Sequence, residues 1–181
     1  GWLPLLVAYA AFGFMYLLVL GFLTTRLEDD SAWTSRDASF AFTLMGTTMI
    51  FGGPLMVTLA QRFGVRRTSV TAFGLWPLLI GVVWVGALLP TYLACLCLGL
   101  LFSGIPLLMT MYVVNHTPPA DYGPAFSAAT LAFGVAQMIS PPIGGLLADA
   151  SGSFTLVFML SGIVAVVGLA ASLRLPDGAS A

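Results

Sequence analysis

The sequence is short of charge. Of its 181 residues 7 % are charged, six basic and seven acidic, where an average soluble domain has roughly 25 %. A soluble domain of this size could not hide the 59 % of residues that are hydrophobic. There is no basic patch beyond one short loop, which excludes a nucleic-acid partner. Cysteine is equally scarce. Cys95 and Cys97 fall in one apolar run, and positions two apart on a helix point about 200° from each other. They can neither pair nor share a ligand, and read as small apolar filler. With a single histidine, His116, no hydroxyl, histidine and acid arrangement can be assembled and no metal cluster forms, so neither an enzyme nor a cofactor is expected. The first residue is Gly1 and an apolar run starts almost at once, with no basic stretch before it. We expect no cleavable signal and a piece of a longer chain.

What is abundant is long apolar sequence. Six segments, at 3–25, 38–60, 70–89, 92–114, 124–147 and 154–173, each approach the ~20 residues needed to cross a hydrocarbon core. Only helices or closed barrels satisfy their own backbone in lipid, and the period-two alternation of a barrel strand is missing. The expected fold is an all-α membrane protein, a single six-helix bundle over 1–181. Arg62, Arg66, Arg67 and Arg174 fall on one side of the membrane. Only Arg26 and Arg36 fall on the other, among Glu28, Asp29, Asp30 and Asp37. The positive-inside rule then makes both ends of the chain cytoplasmic.

The chain also repeats itself. At an offset of 88 residues Ser39 pairs with Ser127, Ala41 with Ala129, Gly46 with Gly134, Pro54 with Pro142, Ala60 with Ala148, Gly64 with Gly152 and Gly74 with Gly162. Two units follow, at about 3–89 and 92–173. Three crossings are an odd number, so the second unit enters the membrane from the opposite side and the repeat is inverted.

The third and sixth segments contain almost nothing polar and read as outer, lipid-facing helices packed through small residues. The other four carry patterned faces. Tyr9, Phe12 and Tyr16 form an aromatic face on the first. Thr43 and Thr47 mark the second, Gly99, Ser103, Pro106 and Thr110 the fourth, and Thr130, Gly134, Gln137 and Pro141 the fifth. Each residue has an ordinary role open to it in packing or helix-to-helix hydrogen bonding. Gln137 stands out because a mid-span amide needs a partner in hydrocarbon. Pro106, Pro141 and Pro142 should interrupt their helices beside glycines, either as bending points or as static kinks. No Asp, Glu, Lys or Arg lies inside a span, so a coupling carboxylate for proton-driven transport is expected elsewhere. His116 reads as a loop residue on a solvated turn.

Gln61-Arg62-Phe63-Gly64-Val65-Arg66-Arg67 resembles the signature between the second and third helices of each half of the major facilitator superfamily. Arg62, Gly64, Arg66 and Arg67 match; Gln61 replaces the acid and Val57 the first glycine. Such erosion looks like the C-terminal half. Gln137 to Gly145, with Pro141, Pro142, Gly144 and Gly145, resembles the Gly-Pro-x-x-Gly-Gly element of the fifth or eleventh helix. Gly145 to Asp149 repeats the spacing of the loop motif. Within the superfamily the chain looks most like bacterial permeases. The resemblance implies secondary transport of a small solute by alternating access, in a bacterial inner membrane, with the lipid bilayer and a second six-helix half as partners. The loop arginines would set orientation, or bind helix C-termini and a carboxylate of the other half. A six-helix channel or structural protein acting as a homo-oligomer is the alternative, and an N-terminal half is a third.

Overall fold

The computed structural model describes residues 2–176, so that the charge of Asp177 lies outside it. Six helices fill it: α1 (Trp2–Thr25), α2 (Ser35–Phe63), α3 (Val65–Val85), α4 (Leu88–His116), α5 (Tyr122–Ser151) and α6 (Thr155–Leu173). No strand occurs among the described residues, and all six helices are long and apolar enough to cross a membrane. Several outrun the segments marked by hydropathy. α2 and α4 each have 29 residues, about 44 Å of helix against a core of about 30 Å, so their polar ends reach past the hydrocarbon. Hydropathy marks the apolar stretch, whereas the backbone keeps its helical hydrogen bonds into the headgroup region.

Local chemistry sets the ends. The Thr34 hydroxyl accepts the Asp37 N–H at the start of α2 (3.2 Å), a side-chain cap for an otherwise orphaned donor. A one-residue turn joins α2 to α3 at Gly64, whose φ of 93° excludes most side chains. The equivalent residue one repeat later, Gly152, ends α5 with φ 73°. The prolines do not break their helices: α4 is continuous through Pro106 and α5 through Pro141 and Pro142.

α1 and α4 are the most enclosed helices. α1 packs against α5 and α6, α4 against α2 and α3, and α3 and α6 pack on each other. Exchanging α1 with α4, α2 with α5 and α3 with α6 leaves that pattern unchanged. Lipid supplies no hydrophobic force between helices, so close van der Waals approach must bind them. A Cβ at Gly99 would collide with the Met45 carbonyl, and one at Gly52 with that of Leu100, which shows α2 and α4 in near backbone contact. In the α1–α5 pair a Cβ at Gly13 would lie 2.7 Å from the Phe133 carbonyl, and one at Gly144 2.8 Å from Leu18. Buried polar pins cross between helices. The Ser140 hydroxyl donates to the Phe14 carbonyl (2.6 Å). Trp76 Nε1 donates to Ser161 Oγ (2.9 Å), which donates onward to the Met15 carbonyl (3.0 Å). α3 and α6, outer helices by composition, therefore carry an inward polar contact.

At the end of the bundle that holds the α1–α2, α3–α4 and α5–α6 connections, a π-helical turn, Arg26–Asp30, carries the described ion pair. Arg26 is only 4 % exposed. Its guanidinium donates to the Trp84 carbonyl (2.8 Å) and Ser31 Oγ (3.2 Å) and lies 3.5 Å from the Asp30 carboxylate. Asp30 in turn accepts the Phe154 N–H (2.8 Å), and Trp33 Nε1 donates to the Gly86 carbonyl (2.9 Å). All three connections are tied into one unit.

Removing one partner of a buried ion pair leaves the other uncompensated, at about 3–5 kcal/mol. Arg26→Ala should therefore lower thermal stability in detergent markedly. Overpacking costs about 1–3 kcal/mol, so Gly52→Val should also destabilise. Gly46→Ala, where a Cβ meets nothing within 4 Å, should melt like the parent protein.

Candidate functional site

The aromatic face of α1 gathers more rings than its own. Tyr9 lies 5.0 Å from Phe133 of α5, and Tyr16 stacks on Phe12 (4.9 Å) and on Phe133 (5.8 Å). Tyr16 meets Phe102 of α4 edge-on at 5.8 Å, and Phe102 stacks on Trp76 of α3 at 5.3 Å. Offset and edge-to-face pairs at these spacings hold ring planes firmly. Phe12 is buried, at 1 % exposure, whereas Tyr9, Tyr16 and Phe133 remain half-buried. The result is a fixed aromatic wall along α1 and α5, with Trp76 and Phe102 behind it.

Polar atoms are sparse on that wall. Among the described residues the Tyr9 and Tyr16 hydroxyls and the Gln137 amide make no hydrogen bond, and none of the three is fully buried. Gln137 follows Phe133 by one helical turn, on the same side of α5. This distinguishes the three from Ser140, Ser161 and Trp76, whose polar groups are bonded within the bundle. Chemically, the wall can stack a flat apolar group and offer it two hydroxyls and an amide.

The other positions singled out by sequence are placed differently. Thr43 and Thr47 are exposed, and their hydroxyls donate to carbonyls one turn back, Ser39 (2.9 Å) and Thr43 (2.8 Å). Thr110 does the same to Pro106 (3.1 Å). Ser103 packs at the Gly52 crossing of α2 and α4 with its hydroxyl buried and unpartnered. Thr130 is exposed, in a shallow groove along α5 with Ser127, Gly134 and Met138. Phe133 and Phe102 were not singled out from sequence. The signal for Phe133 lies in its spacing, one helical turn before Gln137 on the same face of α5.

At the opposite end of the bundle from Arg26, the three loop arginines have separate surroundings. The Arg66 guanidinium donates to the Leu173 carbonyl (2.6 Å), where a cation meets the unpaired carbonyls and negative pole of the α6 C-terminus. Arg62 lies over the Phe63 ring, 5.5 Å from its centroid, a cation–π contact. Arg67 is exposed beside a crevice between α2 and α3. Pro141 is half-buried and Pro142 exposed within continuous helix; Gly144 packs on Leu18 and Phe22, Gly145 has open space beside it, and Asp149 is exposed near the end of α5. His116 is not on a solvated loop but in the last turn of α4, half-buried, where its Nδ1 pairs with the Tyr112 carbonyl (3.0 Å) and its ring stacks on Tyr112 at 4.0 Å. Among the described residues no group of three or more metal-ligating side chains occurs.

Human monocarboxylate transporter 6 is 31 % identical to this chain over 158 residues, covering 79 % of this chain and 30 % of its own length. Mouse monocarboxylate transporter 6 is 33 % identical over 67 residues, 37 % of this chain and 14 % of its own. The chain thus spans less than a third of the curated relatives it matches. A crystal structure of the POT family transporter PepTSo superposes with a TM-score of 0.81 at 15 % identity, over 94 % of this chain and 36 % of that one. At that identity the likeness concerns the fold. The Major Facilitator Superfamily profile matches residues 5–180. Sequence, fold and loop signature agree, and the chain belongs to the major facilitator superfamily.

Proposed function

We propose that this chain is one six-helix half, helices seven to twelve, of a secondary transporter that moves a small solute by alternating access. The carrying observation is the half-buried wall of Tyr9, Tyr16 and Phe133, on which two hydroxyls and the Gln137 amide have no partner within the bundle. Polar groups at membrane depth need partners, and here a solute and the second half supply them. The fraction of each relative that the chain covers supports a half rather than a complete carrier. It favours the transporter over a homo-oligomeric channel. The repeat boundaries at about 3–89 and 92–173 make the half two inverted three-helix units, with α1, α2, α4 and α5 around the path.

The curated relatives carry monocarboxylate in their names. No Asp, Glu, Lys or Arg lies in the mid-span sequence of this half, so a carboxylate solute would find its counter-charge in the other half. Toward this half the solute is neutral or weakly charged, and flat enough to stack. The arginine excess supports cytoplasmic placement of both ends; a bacterial inner membrane rests on the motif resemblance alone, whereas the curated relatives are human and mouse proteins. As a carrier the protein binds its solute without transforming it, which makes it no enzyme.

In the full-length protein Tyr16→Phe and Gln137→Ala should each raise the apparent KM for transport about five- to tenfold, the worth of one hydrogen bond, at unchanged membrane level. Kinetics unchanged in both variants would mean that this wall does not meet the solute. Arg62→Ala should lower uptake while expression and topology stay normal; full uptake would remove Arg62 from gating.

A further inference from the structure

The α2–α3 loop signature carries a feature that solute transport does not explain. Where the superfamily pattern has an acid this chain has Gln61, and no Asp or Glu occurs anywhere between Asp37 and Asp121. Arg62, Arg66 and Arg67 thus stand at one membrane boundary without a carboxylate on either helix end. Arg66 is engaged by the α6 C-terminus and Arg62 by the Phe63 ring, whereas Arg67 is exposed at the Gly64 turn.

Directly beside it is a crevice of about 410 Å³. It forms because α2 and α3 are joined by a single residue at Gly64 and touch little along their lengths. Its walls are apolar, with Met56, Leu59 and Phe63 from α2 and Ala72 and Leu75 from α3. The hydroxyls of the two threonines in it are taken up by their own helix, Thr68 donating to Gly64 and Thr71 to Arg67 (both 2.9 Å). The crevice therefore offers hydrocarbon-like surface along its length and one guanidinium at the membrane boundary. An anionic phospholipid has the matching chemistry, a phosphate at the interface and an acyl chain running into the core.

We propose that this crevice is a binding site for an anionic phospholipid of the leaflet on the arginine side, with the headgroup phosphate on Arg67 and one acyl chain between α2 and α3. The proposal is independent of which solute the protein carries.

Native mass spectrometry of the full-length protein, stripped of lipid in detergent and titrated with phosphatidylglycerol or with phosphatidylcholine of the same chains, tests it. One basic contact at a membrane surface corresponds to about a fivefold difference in affinity. Phosphatidylglycerol should bind about fivefold more tightly than phosphatidylcholine. Arg67→Gln should abolish that preference, and Arg67→Lys, which keeps the charge, should retain it. Thr71→Trp, which fills the crevice, should weaken both lipids. Equal binding of the two lipids, an undiminished preference in Arg67→Gln, or displacement of the lipid by inorganic phosphate alone would overturn the assignment.

Discussion

Hydrocarbon offers no hydrogen bonds, and most of this structure follows from that. Each apolar segment becomes a helix because only a helix closes its own backbone pairs inside the bilayer. Side-chain polarity at membrane depth is then met by another helix, by a carbonyl of its own helix, as at Thr43, Thr47 and Thr110, or by something outside the bundle. Ser140, Ser161 and Trp76 take the first route and thereby pin α1 to α5 and to the α3–α6 pair. Tyr9, Tyr16 and Gln137 do not. On the aromatic wall, the constraint that builds the bundle leaves two half-buried hydroxyls and an amide without partners among the described residues.

The second requirement is cohesion without a hydrophobic force between helices. Glycine supplies it by letting backbones approach, at Gly52 and Gly99 in the α2–α4 crossing and at Gly13 and Gly144 in the α1–α5 crossing. These crossings correspond under the exchange of the two three-helix units, so one packing solution is used twice. The copies differ in what fills the space beside the crossing. Between α1 and α5 it is a stack of rings centred on Phe133. Between α2 and α4 it is small and aliphatic, with Ser103 and Met56 against the glycines. A near-symmetric frame therefore presents an asymmetric lining.

Helix number and the all-helical class were legible in the sequence because they rest on a local property, apolar length. Gly64 and Gly152 were legible for the same reason, since a repeated glycine at two helix ends marks a backbone demand rather than a side-chain contact. Tyr9, Phe12 and Tyr16 could be placed on one face from helical periodicity. What they face could not, because Phe133 lies more than a hundred residues away and nothing in its neighbourhood names a partner on α1. The Trp76–Ser161–Met15 relay was hidden in the same manner, inside two segments whose composition looked uniformly apolar. The prolines misled for a different reason. A proline in a long helix removes a single N–H and leaves a single carbonyl four residues back without its donor, and the remaining hydrogen bonds carry α4 and α5 straight through.

Alternating access, as proposed, needs a half that tilts without coming apart, and the two ends of this bundle meet that need by different means. At one end Arg26 and Asp30 join all three connections through a nearly buried ion pair and its hydrogen bonds. Such a network is strong because solvent is excluded from it, and costly to open for the same reason. At the other end the basic residues stay at the surface. Arg66 holds the end of α6 through one backbone carbonyl, and Arg62 and Arg67 leave their charge toward the membrane boundary. Surface charges of this kind are screened and exchange partners readily. In the proposed carrier, the end with the buried ion pair would stay closed upon itself, and the arginine end would make and release contacts with groups outside the half.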